Sequence, residues 1–380
     1  MVFKRDGTTA SVLAALIVCL AGACSASVQT GAGELVKLPV IENHDTRFVP
    51  LVANNEPLQT RINQIAQDNF GFLWFGTSDG LYKYDGYSLR SYRHDARNPN
   101  TPGEDTILCL YKDRDGSIWI GSRHGGLDRL DPARDVFTHY RHKAANPGSI
   151  ADDFVNCVYR DHNGDLWIGT GNGLDRLDPA SGRFIHYRHD PNDPGTLSSS
   201  GVLSVYEDLQ ANLWVGTNRG LNKLDRSTGR FSRFLHDPLN PNSLGDDYVG
   251  SILEDRSAVL WIASTYGSGL TAFDLKTGKF TRYSFHAENP ASDSVTGVVS
   301  LFEDHKGTLW LCTVDNGLLQ FDRKRNLLIR YAHDAGNPDS LPNDTVLILF
   351  EDAEGDMWAG GPNGVSRFRR GAASFVTYKH

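Results

Sequence analysis

Short apolar runs alternate with turn residues along most of this chain, and the alternation repeats with a fixed period. One period is clear from Val155 onward. Val155, Val158 and Tyr159 lie in an apolar run that ends at Asp161-His-Asn-Gly164. Leu166-Trp-Ile-Gly-Thr170 follows, then Gly173-Leu-Asp-Arg-Leu-Asp178, then Phe184-Ile-His-Tyr187. Runs this short, bounded by Asp and Gly, predict strands joined by hairpins rather than helices; they are called a, b, c and d here. Strand a carries apolar residues on both faces, as a strand buried on both sides does; Val249, Ile252, Leu253 and Val298, Leu301, Phe302 repeat the pattern. The Asp-x-x-Gly turn between a and b suits an Asp side chain accepting local N–H groups ahead of a left-handed Gly. Ala211 and Ala258 replace that Gly in two periods, which predicts strained or differently built turns. A calcium loop of similar appearance would run on for about twelve residues to a Glu, whereas here a strand begins at once.

Tryptophan marks the period. Trp74, Trp119, Trp167, Trp214, Trp261, Trp310 and Trp358 are all the tryptophans, at spacings of 45, 48, 47, 47, 49 and 48 residues. Each follows an Asp by six positions: Asp68, Asp113, Asp161, Asp208, Asp255, Asp304 and Asp352. A period of roughly 40–50 residues marks an array or a propeller. A lone sheet with two apolar faces cannot stand by itself, but sheets stacked around an axis and closed into a ring bury every face. The expected fold is therefore all-β: a seven-bladed β-propeller of four-stranded antiparallel blades, over residues 47–380. Each Trp should wedge between adjacent sheets, where burying about 150–250 Å² at ~25 cal/mol/Å² contributes at most roughly 4–6 kcal/mol. The small residue two positions later (Gly76, Gly121, Gly169, Gly216, Ala263, Cys312, Gly360) leaves room for that approach. Ring closure has two candidates. The outer strand of the last blade is either Phe375–Tyr378 or Arg47-Phe-Val-Pro-Leu51, which could replace or flank it.

Composition narrows the partners. A net charge of −8 argues against nucleic acid, which needs a basic stripe. Lys4-Arg5, the apolar run Val12–Leu20 and Ala21-Gly-Ala23 predict an export signal over 1–23, with 24–46 as a linker. The apolar run falls short of the ~20 residues that span a membrane. Two processing readings stay open: ordinary cleavage after Ala23, or lipidation at Cys24 in Leu20-Ala-Gly-Ala-Cys24, whose Ala21 departs from the usual branched aliphatic. Either exports the mature chain, to the periplasm or, lipidated, to the outer membrane; membrane contact is expected only with lipid at Cys24. Cys109 and Cys157 hold the same place in neighbouring units, so their side chains point the same way. With Cys312 they read as small buried fillers without a bridge.

Gly71-Phe-Leu-Trp-Phe-Gly-Thr-Ser-Asp-Gly-Leu-Tyr-Lys-Tyr-Asp-Gly-Tyr87, followed by Tyr92-Arg-His-Asp95, resembles the first blade of the two-component regulator propeller family. The later Leu-Trp-Ile-Gly-Thr and Gly-Leu-x-x-Leu-Asp units are similar to that family's repeat, and the resemblance covers nearly the whole mature chain. It implies extracytoplasmic sensing, as in membrane-spanning histidine kinases, hybrid kinases and diguanylate cyclases. In many of these an immunoglobulin-like module, a membrane helix and a cytoplasmic output domain follow the propeller. This sequence stops at Tyr378-Lys-His380, at a repeat boundary, without kinase or cyclase motifs. The output is therefore expected in another chain, through a membrane signalling partner in trans, or in a portion this sequence lacks.

Features present in every blade are scaffold. His94, His142, His189, His236, His333 and His380 each follow a strand-d aromatic by two residues and belong to different blades, so they cannot converge on one ion at ~2 Å. They predict a structural loop braced by a His–Asp pair. No metal, cofactor or catalytic residue is expected. Function should lie where blades differ, on the face shared by the b–c and d–a loops. That face offers Arg61, Asp79, Arg123, His124, Phe154, Asn172, Arg219, Tyr248, Tyr266 and Asp315. Such groups around a concavity suit a small polar ligand, for example a glycan, by stacking and hydrogen bonding. The first reading is a non-catalytic ligand sensor, and the alternative is a scaffold for a periplasmic protein. A lyase or hydrolase is the weakest reading, because nothing is spaced to serve His124 as an acid–base partner.

Overall fold

A computed structural model describes residues 35–53, 56–265, 269–285 and 297–369, and every regular element among them is a strand. Blade 1 is built from Ile62–Gln67 (a), Leu73–Thr77 (b), Gly80–Tyr84 (c) and Leu89–Tyr92 (d), antiparallel in that order. The same order recurs over residues 107–140, 155–187, 202–234, 251–285 and 298–331, with three strands over 348–368. Strand a of each blade lies against strand a of the next, and that of blade 7 against that of blade 1, so the ring closes. The protein is a seven-bladed β-propeller.

The core is divided among the seam clusters. Trp167 of blade 3 packs with Val202, Leu213 and Val215 of blade 4, and Trp358 of blade 7 with Ile62 and Phe75 of blade 1. A buried indole N–H needs an acceptor, and the repeat supplies it. Asp68 Oδ2 accepts from Trp74 Nε1 (2.8 Å), Asp161 Oδ2 from Trp167 (2.8 Å), and Asp304 Oδ2 from Trp310 (2.9 Å). The other oxygen makes the expected turn: Asp68 Oδ1 accepts the N–H groups of Phe70 (2.9 Å) and Phe72 (3.0 Å). One residue thus shapes the turn and caps the wedge, which is why it recurs with each Trp. Ala211 (φ +66°) and Ala258 (φ +62°) occupy the left-handed position that Gly164 holds elsewhere (φ +86°), so those two turns are the same turn under strain. A Cβ on Gly216 would sit 2.5 Å from the Val249 carbonyl of blade 5, the close approach the small residue permits.

The N-terminal segment straps the ring. β1 (Leu35–Leu38) adds a parallel fifth strand to blade 5, with Leu35 beside Arg282, and β2 (Val40–Glu42) does the same on blade 6, with Val40 beside Leu328. β3 (Val49–Pro50) pairs antiparallel with Gly364–Phe368 as the outer strand of blade 7. Of the two closing candidates, Arg47–Leu51 therefore takes this place; Phe375–Tyr378 lies outside the described residues. Leu35–Glu42, in the stretch expected as a linker, is strand instead. It docks because each outer strand leaves an open edge and because apolar side chains find seams: Leu38 between blades 5 and 6, Phe48 between 6 and 7, Leu51 between 7 and 1.

At the end formed by the a–b turns, polar clasps join neighbours. The residue after the repeat Asp donates its backbone N–H to a carboxylate at the end of strand a in the next blade: His162 to Glu207 (2.7 Å), Leu209 to Glu254 (2.6 Å), His305 to Glu351 (2.8 Å). Ala353 donates to Gln67 Oε1 (2.8 Å), carrying the pattern across the closing seam.

Candidate functional site

The b–c and d–a loops share the opposite end of the ring, the mouth. Ser78 N–H donates to Arg61 O (3.1 Å), Arg123 N–H to Thr106 O (3.0 Å), Gly171 N–H to Phe154 O (2.9 Å) and Asn218 N–H to Gly201 O (3.1 Å). The b–c loop therefore lies beside the start of strand a in each of these blades. Short turns closed by an Asp or Asn side-chain oxygen set that start. Asp152 Oδ1 accepts Phe154 N–H, Asp246 Oδ1 accepts Tyr248 N–H and Asn343 Oδ1 accepts Thr345 N–H, each at 2.7 Å. Glu104 accepts the N–H groups of His124 (2.5 Å) and Gly125 (3.1 Å). Sequence reasoning missed these side chains, although an Asp or Asn two positions before a strand is a recognisable turn signal.

The repeated histidines brace loops, as expected, but with a different partner. His94 Nδ1 donates to Pro102 O (2.9 Å), His142 Nδ1 to Ile150 O (2.8 Å) and His236 Nδ1 to Leu244 O (2.7 Å); a carbonyl only accepts, so Nδ1 bears the proton. The carboxylate involved is eleven residues on, where Asp105 Oδ1 accepts the His94 backbone N–H (2.7 Å). The adjacent His–Asp side-chain pair is thus replaced by a ring-to-carbonyl bond, because the d–a loop folds back on itself. Burial pushes the Cys157 and Cys312 thiols up to about 12, and Cys109 is raised too. All three are free and of filler character, without the lowered pKa of a reactive thiol.

The candidate ligand residues have different fates. His124 and Phe154 come together across the blade 2–3 seam, with ring centroids 6.5 Å apart. Arg123 and Arg219 are exposed, and neither guanidinium has a hydrogen-bond or ion-pair partner among the described residues. Arg61 Nε donates to Asn63 Oδ1 (3.0 Å). Tyr248 is half-buried, while Asn172 and Asp315 are exposed. Asp79 is committed to a bidentate ion pair with Arg93, whose own pKa is raised by that bond, and it lines a recess with Leu58 and Thr60. Tyr266 lies outside the described residues. Glu104 bonds the backbone of His124 and not its ring, so this contact makes no acid–base dyad.

Residues 57–79, 102–124 and 149–172 match the family model described as two component regulator propeller; each match runs from before strand a to the b–c loop. The resemblance drawn from the repeats is borne out at blades 1 to 3. No curated protein matches the chain. Among solved structures, the extracellular domain of BT3049 from B. thetaiotaomicron, described as a hybrid two component system, is 23% identical with a TM-score of 0.72, covering 85% of this chain and 42% of that one. The extracellular domain of BT4673 from B. thetaiotaomicron, described as a one component system, is 24% identical with a TM-score of 0.67, covering 85% and 40%. Virginiamycin B lyase from Staphylococcus aureus is 15% identical with a TM-score of 0.62, covering 85% and 99%. At these identities the likeness is one of fold. The chain spans about two fifths of the two extracellular domains.

Proposed function

We propose that this protein is an exported, non-catalytic ligand-sensing propeller whose output lies in another chain or in a portion beyond this sequence. The ligand is small and polar, of the glycan kind, and binds at the mouth. One observation carries the reading: among the described residues, Arg123 and Arg219 keep unpartnered guanidiniums at the mouth, whereas the repeated Asp, His and Trp side chains serve turns, braces and seams. A planar fork of five donors is well suited to hydroxyl or carboxylate groups. Likeness in fold to extracellular domains of two-component systems supports the same role, and export follows from the N-terminal signal pattern.

Calorimetric titration with a panel of neutral and acidic oligosaccharides tests it. The variant carrying Arg123→Ala, Arg219→Ala and Tyr248→Ala should bind its saccharide at least about tenfold more weakly, roughly 1.4 kcal/mol. Unchanged affinity in that folded variant would refute binding at the mouth.

A further inference from the structure

The face opposite the mouth carries side chains that plug the blade seams. Arg226 of blade 4 reaches Asp161 of blade 3 (2.7 Å) and its own blade's Glu207 (2.6 Å), and Arg323 of blade 6 reaches Asp255 of blade 5 (2.8 Å). Arg160 crosses from blade 3 to Asp113 of blade 2 (2.5 Å). Blade 2 lacks these devices toward blade 1. Pro132 stands where blades 4 and 6 carry Arg226 and Arg323, and Lys112 stands where Glu207, Glu254, Glu303 and Glu351 form clasps. At that seam a cleft of about 450 Å³ opens, within the range of about 300–1,000 Å³ that small-molecule sites occupy.

Phe70 lies at the edge of the cleft, at the tip of the a–b turn of blade 1, and is 62% exposed. The same position in the other blades is polar throughout: Asp115, Asn163, Gln210, Ser257, Lys306 and Glu354. The turn therefore does not require an aromatic ring. The facing wall mixes apolar Pro132, Ala133 and Val136 with polar groups whose charges balance. Arg129 pairs with Asp115 (2.6 Å) and donates to Ser117 Oγ (3.2 Å), and Arg134 pairs with Asp131 (3.0 Å). The c–d turn that carries Asp131 and Arg134 is held against blade 1, since Asp135 (φ +61°) accepts from Tyr92 Oη (2.7 Å) and pairs with Arg90 (2.6 Å).

Paired acids and arginines offer no net field to a phosphate or an amine. They do offer adjacent donors and acceptors, which a hydroxyl group, donor and acceptor at once, can use together. An exposed ring beside such a wall matches a molecule with a flat C–H face and a hydroxylated rim. We propose that the blade 1–2 cleft binds neutral saccharides, stacked on Phe70 and hydrogen-bonded to the Asp115–Arg129 pair. This site is separate from the mouth and does not depend on the function proposed there.

Saturation-transfer NMR on the full chain with maltotriose, cellotriose and chitotriose, each at about 10 mM to detect Kd values near 1 mM, tests the proposal. At least one sugar should give a signal concentrated on the C–H protons of one ring face. Phe70→Ala should reduce it about fivefold or more, as loss of one aromatic contact implies, and Phe70→Trp should retain it. The part of the signal that Phe70→Ala removes should persist in the Arg123→Ala, Arg219→Ala variant, whatever share of the total that variant takes away at the mouth. No signal from any of the three sugars, or an equal signal in Phe70→Ala, overturns the proposal. A signal that survives Phe70→Ala but is lost in the arginine variant moves the saccharide to the mouth, which overturns the cleft and keeps the proposed function. Because Phe70 is exposed, the variants should match the parent in thermal unfolding.

Discussion

The carboxylate of Asp161 accepts from Trp167 Nε1, from the Asp165 amide (2.8 Å) and from Arg226. Burial alone would raise its pKa, but these donors together hold it below the ordinary value, and the same balance lowers Asp113, which pairs with Arg160. A carboxyl lowered in the folded state adds stability that is fully present above the unfolded value of about 3.9 and is lost as pH falls through the folded value. Asp352 is raised by burial, so its contribution has the opposite sign and fades as pH rises through its folded value. Urea unfolding should therefore show stability declining below about pH 4, with a shallower decline in Arg226→Met. An identical decline would mean that the Arg226–Asp161 pair does not set it. The strained alanines give a second residue-scale expectation. Ala211→Gly and Ala258→Gly should each raise stability by about 0.5–1 kcal/mol, the left-handed cost relieved less the entropy added to the unfolded chain. Lower unfolding midpoints in both variants would contradict the strain.

At the scale of elements, the four strands of each blade were legible because each carries its own signals: apolar alternation, Asp-x-x-Gly, and a small residue after the Trp. The strap was only half legible. Phe48 and its neighbours read as a strand, and Phe48 is buried against Trp310, Tyr331 and Phe368. β1 and β2 read as linker because a parallel edge strand needs no hairpin and leaves no turn signature. The strap should matter to stability. Phe48→Ala is expected to cost about 3–5 kcal/mol, and removal of residues 35–50 should lower the melting temperature more than Phe48→Ala does. Equal melting of the deleted and intact chains would show that the outer strands are decoration.

For the whole molecule, the ring turns a repeated sequence into two unequal faces. Repeated residues hold the seams, and departures from the repeat gather at the mouth and at the blade 1–2 seam. The sequence pointed to the mouth, where Arg123 and Phe154 stand out by type. It did not point to the cleft, since Pro132 and Lys112 look ordinary until Arg226, Arg323 and Glu207 are seen crossing the other seams. Nor could it show that Asp79 is taken by Arg93, fourteen residues away in sequence, while Arg123 has no side-chain partner among the described residues. By itself the sequence determined the blade count, the strand order and the residues that wedge each seam, because those depend on periods and turns within one repeat. The tertiary structure alone decided where the N-terminal strap docks, which seam stays open and which charges pair with one another. Those depend on side chains from different blades meeting across a closed ring, a condition no local pattern records.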